Sequence, residues 1–293
     1  MSNQSTEDDL ISLSDDQEHG AIDTHVHFWK YSAMRDTWIG DDMKVLKQNY
    51  LPEDLALSAR RNHIDSCVAV QVDQSELENY FLIELAKTHS FIKGVVGWID
   101  LQAENLEERL THFSEFPIIK GWRHIVQGEA NDFLLRRSFQ QGVQHLKKFN
   151  YTYDILVYHY QLNSVVDFVS NLPDQKLIVD HCAKPDIRNR EINNWRFLMK
   201  EIAQHPQVHC KLSGLFTEAN WRNWSAGDFF PYLDVVFEAF GTERLLFGSD
   251  WPVMLLSGSY LQWKSLVGKY MEQFKQEEKE KIFYQNAIRF YNL

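Results

Sequence analysis

Residues 21–29 read Ala-Ile-Asp-Thr-His-Val-His-Phe-Trp. The run is apolar and β-branched enough for a strand. Alternate side chains of an extended chain share a face, so His25 and His27 point together into whatever that strand lines. An open doubly wound sheet announces itself with a glycine-rich turn after its first strand, and here two imidazoles take that place. The first strand therefore argues for the other parallel architecture, a closed barrel whose strand ends carry the chemistry.

Working outward, seven more strand-like runs follow, at 66–72, 93–101, 117–127, 153–158, 176–180, 208–215 and 244–248. Most are separated by stretches of helical period. In 75–89, Phe81, Leu82, Leu85 and Ala86 form an apolar stripe, and 195–204 behaves in the same way. Short, nearly continuous apolar strands alternating with helices call for parallel pairing with both faces covered. The economical solution is a single (β/α)8 barrel over 20–293, and a chain of 293 residues is long enough for it. Two long loops, 30–52 and 216–230, would then lie over the C-terminal mouth, where barrel enzymes build their sites.

Composition narrows the function classes. Hydrophobic residues at 44% and charged ones at 24% are those of a globular chain with a sizeable core. A net charge of −11 argues against a nucleic-acid or anionic-membrane surface. Part of that charge is local: residues 1–19 hold Glu7, Asp8, Asp9, Asp15, Asp16 and Glu18 without Lys or Arg, and read as a disordered acidic tail. Neither a secretory-type start nor a run of about 20 apolar residues is present, so a cytoplasmic location is expected. Cys67, Cys182 and Cys210 have no ligand spacing and read as small buried residues.

The C-terminal ends of the predicted strands carry polar residues that a core would not supply. They are His25 and His27 on the first, Arg123, His124 and Gln127 on the fourth, and His159 on the fifth. Asp180, His181 and Lys184 follow on the sixth, Lys211 and Ser213 on the seventh, and Asp250 on the eighth. One polar residue at a strand end is usually a loop contact; a set at the same end of most strands points to a shared site.

Five segments resemble the amidohydrolase-related lactonases, a branch of the amidohydrolase superfamily acting on L-fucono- and L-rhamnono-lactones among others. They are Asp-Thr-His-Val-His-Phe-Trp at 23–29, Lys-Gly-Trp-Arg-His-Ile-Val-Gln at 120–127, Asp-His-Cys-Ala-Lys-Pro at 180–185, Lys-Leu-Ser-Gly-Leu at 211–215 and Phe-Gly-Ser-Asp-Trp-Pro-Val at 247–253. The resemblance runs from 21 to about 290 in the expected order. It implies a (β/α)8 fold, with His25, His27, His181 and Asp250 in the matching site positions. In many amidohydrolases such groups bind a divalent metal, with a further His after strand five and a carboxylated Lys on strand four, for which His159 and Lys120 are the candidates here.

A lactone is a strained, activated ester, so a carboxylate base and a few cationic or N–H donors suffice to open it. The expectation is hydrolysis of a sugar-acid lactone with no metal required: Asp250 activates water, while His25, His27, His181 and Arg123 meet the carbonyl oxygen. Arg123, His124, Trp29, Lys184 and Trp251 are the expected substrate contacts, and Trp38, Trp221 and Trp224 also suit the apolar face of a sugar. If a metal such as zinc is bound, His25, His27, His181 and Asp250 are its ligands. The alternatives are a zinc-dependent amidohydrolase or decarboxylase on the same fold, and a carbohydrate-binding barrel without catalysis.

Overall fold

The computed structural model describes residues 20–293, so the acidic segment at 1–19 lies outside the described residues. Eight strands form one parallel sheet in sequential order. They are β1 (Ala21–Val26), β2 (Ile64–Val70), β3 (Ile92–Gly97) and β4 (Ile119–Ile125), then β5 (Thr152–Leu156), β6 (Leu177–Val179), β7 (Val208–Leu212) and β8 (Leu245–Phe247). The sheet closes through a seam rather than a long ladder. Past the end of β8, the Asp250 amide donates to the His25 carbonyl at 2.9 Å, and the His27 amide donates to the Trp251 carbonyl at 2.7 Å. The Thr24 hydroxyl adds a bond to the Phe247 carbonyl at 2.7 Å.

Helices cover the outside: α1 (Pro52–Arg61), α2 (Glu76–Thr88), α3 (Leu106–Ser114), α4 (Arg137–His145), α5 (Leu162–Ser170), α6 (Asn193–Ala203), α7 (Ala226–Phe240) and α8 (Tyr260–Tyr270). Their starts are written locally. Pro52 opens α1, where its missing N–H is harmless, and Asp54 Oδ2 accepts from the Leu51 amide at 2.8 Å. Ser259 and Gln262 exchange bonds at the start of α8. Among the described residues, no helix is long and apolar enough to cross a membrane.

The C-terminus of α1 departs from rule. His63 follows the capping Asn62 with φ +52°, at the position glycine usually takes. A left-handed conformation costs a residue with a Cβ roughly 1–2 kcal/mol. His63→Gly is therefore expected to stabilise the fold by about 1 kcal/mol, raising Tm by about 2 °C, without touching turnover. An unchanged or lower Tm in thermal unfolding would contradict this.

Two apolar layers result. The larger lies between strands and helices. The smaller lies inside the barrel, where Ile22, Val68, Val70, Val96, Ile178 and Leu246 meet Ala287, Phe290 and Tyr291. Those last three belong to α10 (Asn286–Tyr291), reached through α9 (Gln276–Glu280) and a π-helical turn at Lys281–Gln285. The α10 segment plugs the end opposite the mouth: Lys120, at the start of β4, donates to the Asn292 carbonyl there at 2.8 Å. The strand-four lysine is thus at the wrong end of the barrel to serve as a carboxylated ligand.

Above the apolar layer the barrel holds charge. Arg123, Asp154, Asp180 and Lys211 are all buried, at most 3% exposed. Most strands stop before the ends of the apolar runs seen in the sequence, because the chain there turns into the irregular backbone that builds the mouth.

Candidate active site

A β-bulge aims the first histidine. Asp23 pairs with Cys67 and Val26 with Ala69, so β1 spends one residue more than β2 between these pairs. The extra residue shifts the alternation, so that Ile22 faces the apolar interior and His25 also faces inward, as bulges beside active sites do. Asp23 holds the bulge: it accepts from the His25 amide at 3.1 Å, the Ser249 amide at 2.8 Å and the Tyr260 hydroxyl at 2.6 Å. Burial pushes its carboxyl up to about 6 despite those donors.

His27 lies just past β1, yet the two imidazoles converge, with Nε2 to Nε2 3.2 Å. His27 Nδ1 donates to the Val70 carbonyl at 2.8 Å, which turns its Nε2 toward the mouth. Asp250 Oδ1 is 3.3 Å from that nitrogen and 3.8 Å from His181 Nε2. The seam between β8 and β1 sets the first distance, since the Asp250 amide is bonded to the His25 carbonyl.

His181 arrives by a strained route. Residues 181–184 (His-Cys-Ala-Lys) all have positive φ, between 47° and 56°, a left-handed turn without a glycine. At roughly 1–2 kcal/mol per residue, such a turn persists only where the surroundings impose it. They do: the Trp195 indole donates to the Cys182 carbonyl at 2.8 Å, His159 Nδ1 to the Lys184 carbonyl at 3.0 Å, and Cys182 Sγ to the Lys211 carbonyl at 3.3 Å. The strand-five histidine is therefore a brace for the turn. Ser213 binds His181 Nδ1 at 2.8 Å, and Lys184 pairs with Glu218 at 2.9 Å.

Beneath the imidazoles runs the charged layer. Lys211 Nζ lies 2.5 Å from Asp154 Oδ2, 3.0 Å from Asp180 Oδ1 and 3.2 Å from His25 Nδ1. Arg123 Nη1 lies 3.2 Å from Asp180 Oδ2 and 3.3 Å from His25 Nε2, while its Nη2 donates to the Gln71 carbonyl. The Tyr291 hydroxyl, from the plug, reaches Asp154 at 3.0 Å. Burial alone would raise the Asp180 carboxyl, but Lys211 and Arg123 outweigh it and hold it below its usual range. Burial pushes His25 and His181 well below the ordinary imidazole range, with Lys211 adding to the push on His25 and His25 to that on His181. Both rings are neutral.

Six of the expected residues thus come together: His25, His27, Arg123, His181, Lys184 and Asp250. Three do not. His124 lies on the outer side of β4, stacked on Phe133 at 4.7 Å and bonded to Glu129 at 3.0 Å, because neighbouring strand residues face opposite ways and Arg123 takes the interior. Trp29 is buried against Tyr50 with its indole donating to the Gln48 carbonyl, and Trp251 packs on Tyr50 and Phe28. These two rings pin the 30–52 loop rather than offer a face to substrate. Asp154, Gln71, Glu218 and Tyr291 were not singled out from the sequence. Asp154, a carboxylate inside the apolar run 153–158, was the signal available. Cys67, Cys182 and Cys210 are buried and free.

The donor set fits a divalent cation. Ligating atoms of His25, His181 and Asp250 lie within 4.8 Å of one another, and His27 Nε2 is 3.3 Å from Asp250 Oδ1. Neutral imidazoles with a carboxylate are zinc-type ligands.

A closed parallel barrel with neutral imidazoles and a carboxylate gathered at its C-terminal mouth is the architecture of a barrel hydrolase. The chain belongs to the amidohydrolase family, whose pattern matches residues 22–293. It is 38% identical over 284 residues to an L-fucono-1,5-lactonase of Burkholderia multivorans, covering 93% of this chain and 96% of that one. It is 30% identical to an L-fucono-1,5-lactonase of Burkholderia ambifaria, covering 93% and 95%. A crystal structure of an amidohydrolase from Burkholderia multivorans with bound zinc superposes with a TM-score of 0.90 at 39% identity, covering 93% of this chain and 99% of that one.

Proposed function

We propose that the protein hydrolyses a sugar-acid lactone of the L-fuconolactone type. The observation that carries the reading is the meeting of Asp250 with His27 and His181 at the closing seam, on a chain related along nearly its whole length to two such lactonases. In this reading Asp250 takes a proton from water as it attacks the lactone carbonyl. His25, His181 and Arg123 meet the oxygen as it gains negative charge, and Asp250 returns the proton to the departing ring oxygen. Lys184 and Glu218, paired at the rim, supply a donor and an acceptor for sugar hydroxyls.

A divalent cation held by His181, Asp250 and an imidazole of the 25–27 pair would act as a Lewis acid toward the carbonyl. The proposed reaction does not require it, because the ester is already activated and the buried Arg123 and imidazole N–H groups supply the charge stabilisation. Aldonolactones of both ring sizes, followed with a pH indicator with and without chelator, test both parts. Hydrolysis of an L-fucono-type lactone is expected, with at least half the rate surviving chelation. No turnover on any lactone would overturn the activity, and activity lost on chelation and restored by zinc would overturn the metal-free route.

A further inference from the structure

Gln71, the first residue past β2, is wholly buried, and its side chain is only half used. Its main chain ties it to the site. The Gln71 amide donates to the Val96 carbonyl of β3 at 2.9 Å, which continues the ladder by one step. The two carbonyls at this end of β2 then hold site residues: that of Val70 accepts from His27 Nδ1, and that of Gln71 accepts from Arg123 Nη2. In return the Gln71 carboxamide reaches across β3 to the Arg123 carbonyl at 3.1 Å. Bonds in both directions clasp the end of β2 to the inward arginine of β4.

A carbonyl can only accept, so this last partner identifies the bonded amide atom as Nε2 and leaves Oε1 as the free end. Among the described residues Oε1 has no partner, and neither has Arg123 Nε; both atoms are buried. Buried polar atoms are rarely left so, and two of them on a clasped pair beside the reacting groups mark a place where a ligand bonds. Their depth is that of the site itself, since His25, Arg123, His181 and Asp250 are at most 3% exposed. The polarity is selective: Oε1 is an open acceptor and Nε an open donor. An alcohol group answers either, an alkyl group answers neither, and a carboxylate cannot donate to Oε1.

We propose that Gln71 is a specificity-determining residue whose Oε1 accepts a hydrogen bond from the substrate hydroxyl on C2, the ring carbon next to the lactone carbonyl. The clasp sets the position. In the lactone-hydrolase reading, on which this assignment rests, Arg123 meets the carbonyl oxygen, so the amide bonded to Arg123 lies beside the next carbon of the ring. A lactone without that hydroxyl leaves Oε1 unpaired in a closed site, and a site built to bond a hydroxyl rejects the analogue lacking it.

The test compares an aldono-1,5-lactone that the wild type hydrolyses with its 2-deoxy counterpart, in the wild type and in Gln71→Met. Methionine has about the length of glutamine without the amide. The Gln71 carbonyl that holds Arg123 Nη2 belongs to the main chain, so the guanidinium keeps that tether. The preference for the parent lactone, as a ratio of kcat/KM values, is expected to be at least about tenfold larger in the wild type than in the variant. Comparing ratios cancels the different intrinsic reactivity of the two esters. Gln71→Glu keeps an acceptor oxygen and should keep most of the wild-type preference. A ratio unchanged in Gln71→Met, whether both rates fall together or neither does, overturns the assignment, because Gln71 would then only position Arg123 or hold a buried water. If Gln71→Met does not fold, Gln71→Glu decides, and loss of its preference contradicts the acceptor role. A wild type inactive on every lactone instead overturns the lactone reading, and this assignment with it.

Discussion

Asp250→Asn is expected to leave the fold intact and to lower turnover at least about a hundredfold, the scale for loss of a general base. The fold should survive for two reasons. The Asp250 main chain, not its carboxylate, bonds the His25 carbonyl at the seam. Its φ of +62° is also one that asparagine adopts readily. What the substitution removes is the acceptor 3.3 Å from His27 Nε2 and 3.8 Å from His181 Nε2. Turnover on the best lactone, beside Tm, separates the two effects. Near-normal activity would take Asp250 out of the mechanism.

Gly214→Ala should be nearly as damaging for a different reason. Gly214 has φ +63°, and a Cβ built there would lie 2.4 Å from Cγ and Nδ1 of His181. Real side chains do not approach so closely, and the ring has nowhere to yield: its turn is tied by Trp195, His159 and Cys182, and its Nδ1 is already bonded to Ser213. The conformational penalty and the overlap together should cost about 3 kcal/mol of stability. Turnover should fall at least about a hundredfold as His181 leaves its place near Asp250. Wild-type Tm and kcat in this variant would mean that the left-handed turn is softer than its bracing implies.

The barrel was legible because eight apolar runs alternate with helical stretches, a pattern that only one closed parallel architecture uses economically. The inward set was legible in part. His25, His27, His181 and Asp250 stand at strand ends in their own short motifs, whereas His124 looked equivalent to Arg123 because they adjoin in sequence. Only the register decides which of two neighbours faces the interior, and register depends on bulges that composition does not announce. Trp29 and Trp251 misled for a related reason: a ring beside the mouth serves a substrate or pins a loop according to contacts with Tyr50, far off in sequence. Asp154 shows the opposite failure. A lone carboxylate in an apolar strand has meaning only once Lys211 and Tyr291, distant in the chain, are seen to meet it.

The seam between β8 and β1 has a consequence for how the molecule fails. Elsewhere neighbouring strands are joined by ladders, but the ring is shut by two main-chain bonds, Asp250 to His25 and His27 to Trp251, with the Thr24 hydroxyl bonded to the Phe247 carbonyl beside them. These bonds also fix the spacing of the reacting groups. A parting of the ring there would separate Asp250 from His25 and His27 while the other seven strand pairs stayed joined, so catalysis acts as a gauge of whether the ring is shut. Inactivation by heat or denaturant can in this way precede any loss of secondary structure, through a local opening instead of global unfolding.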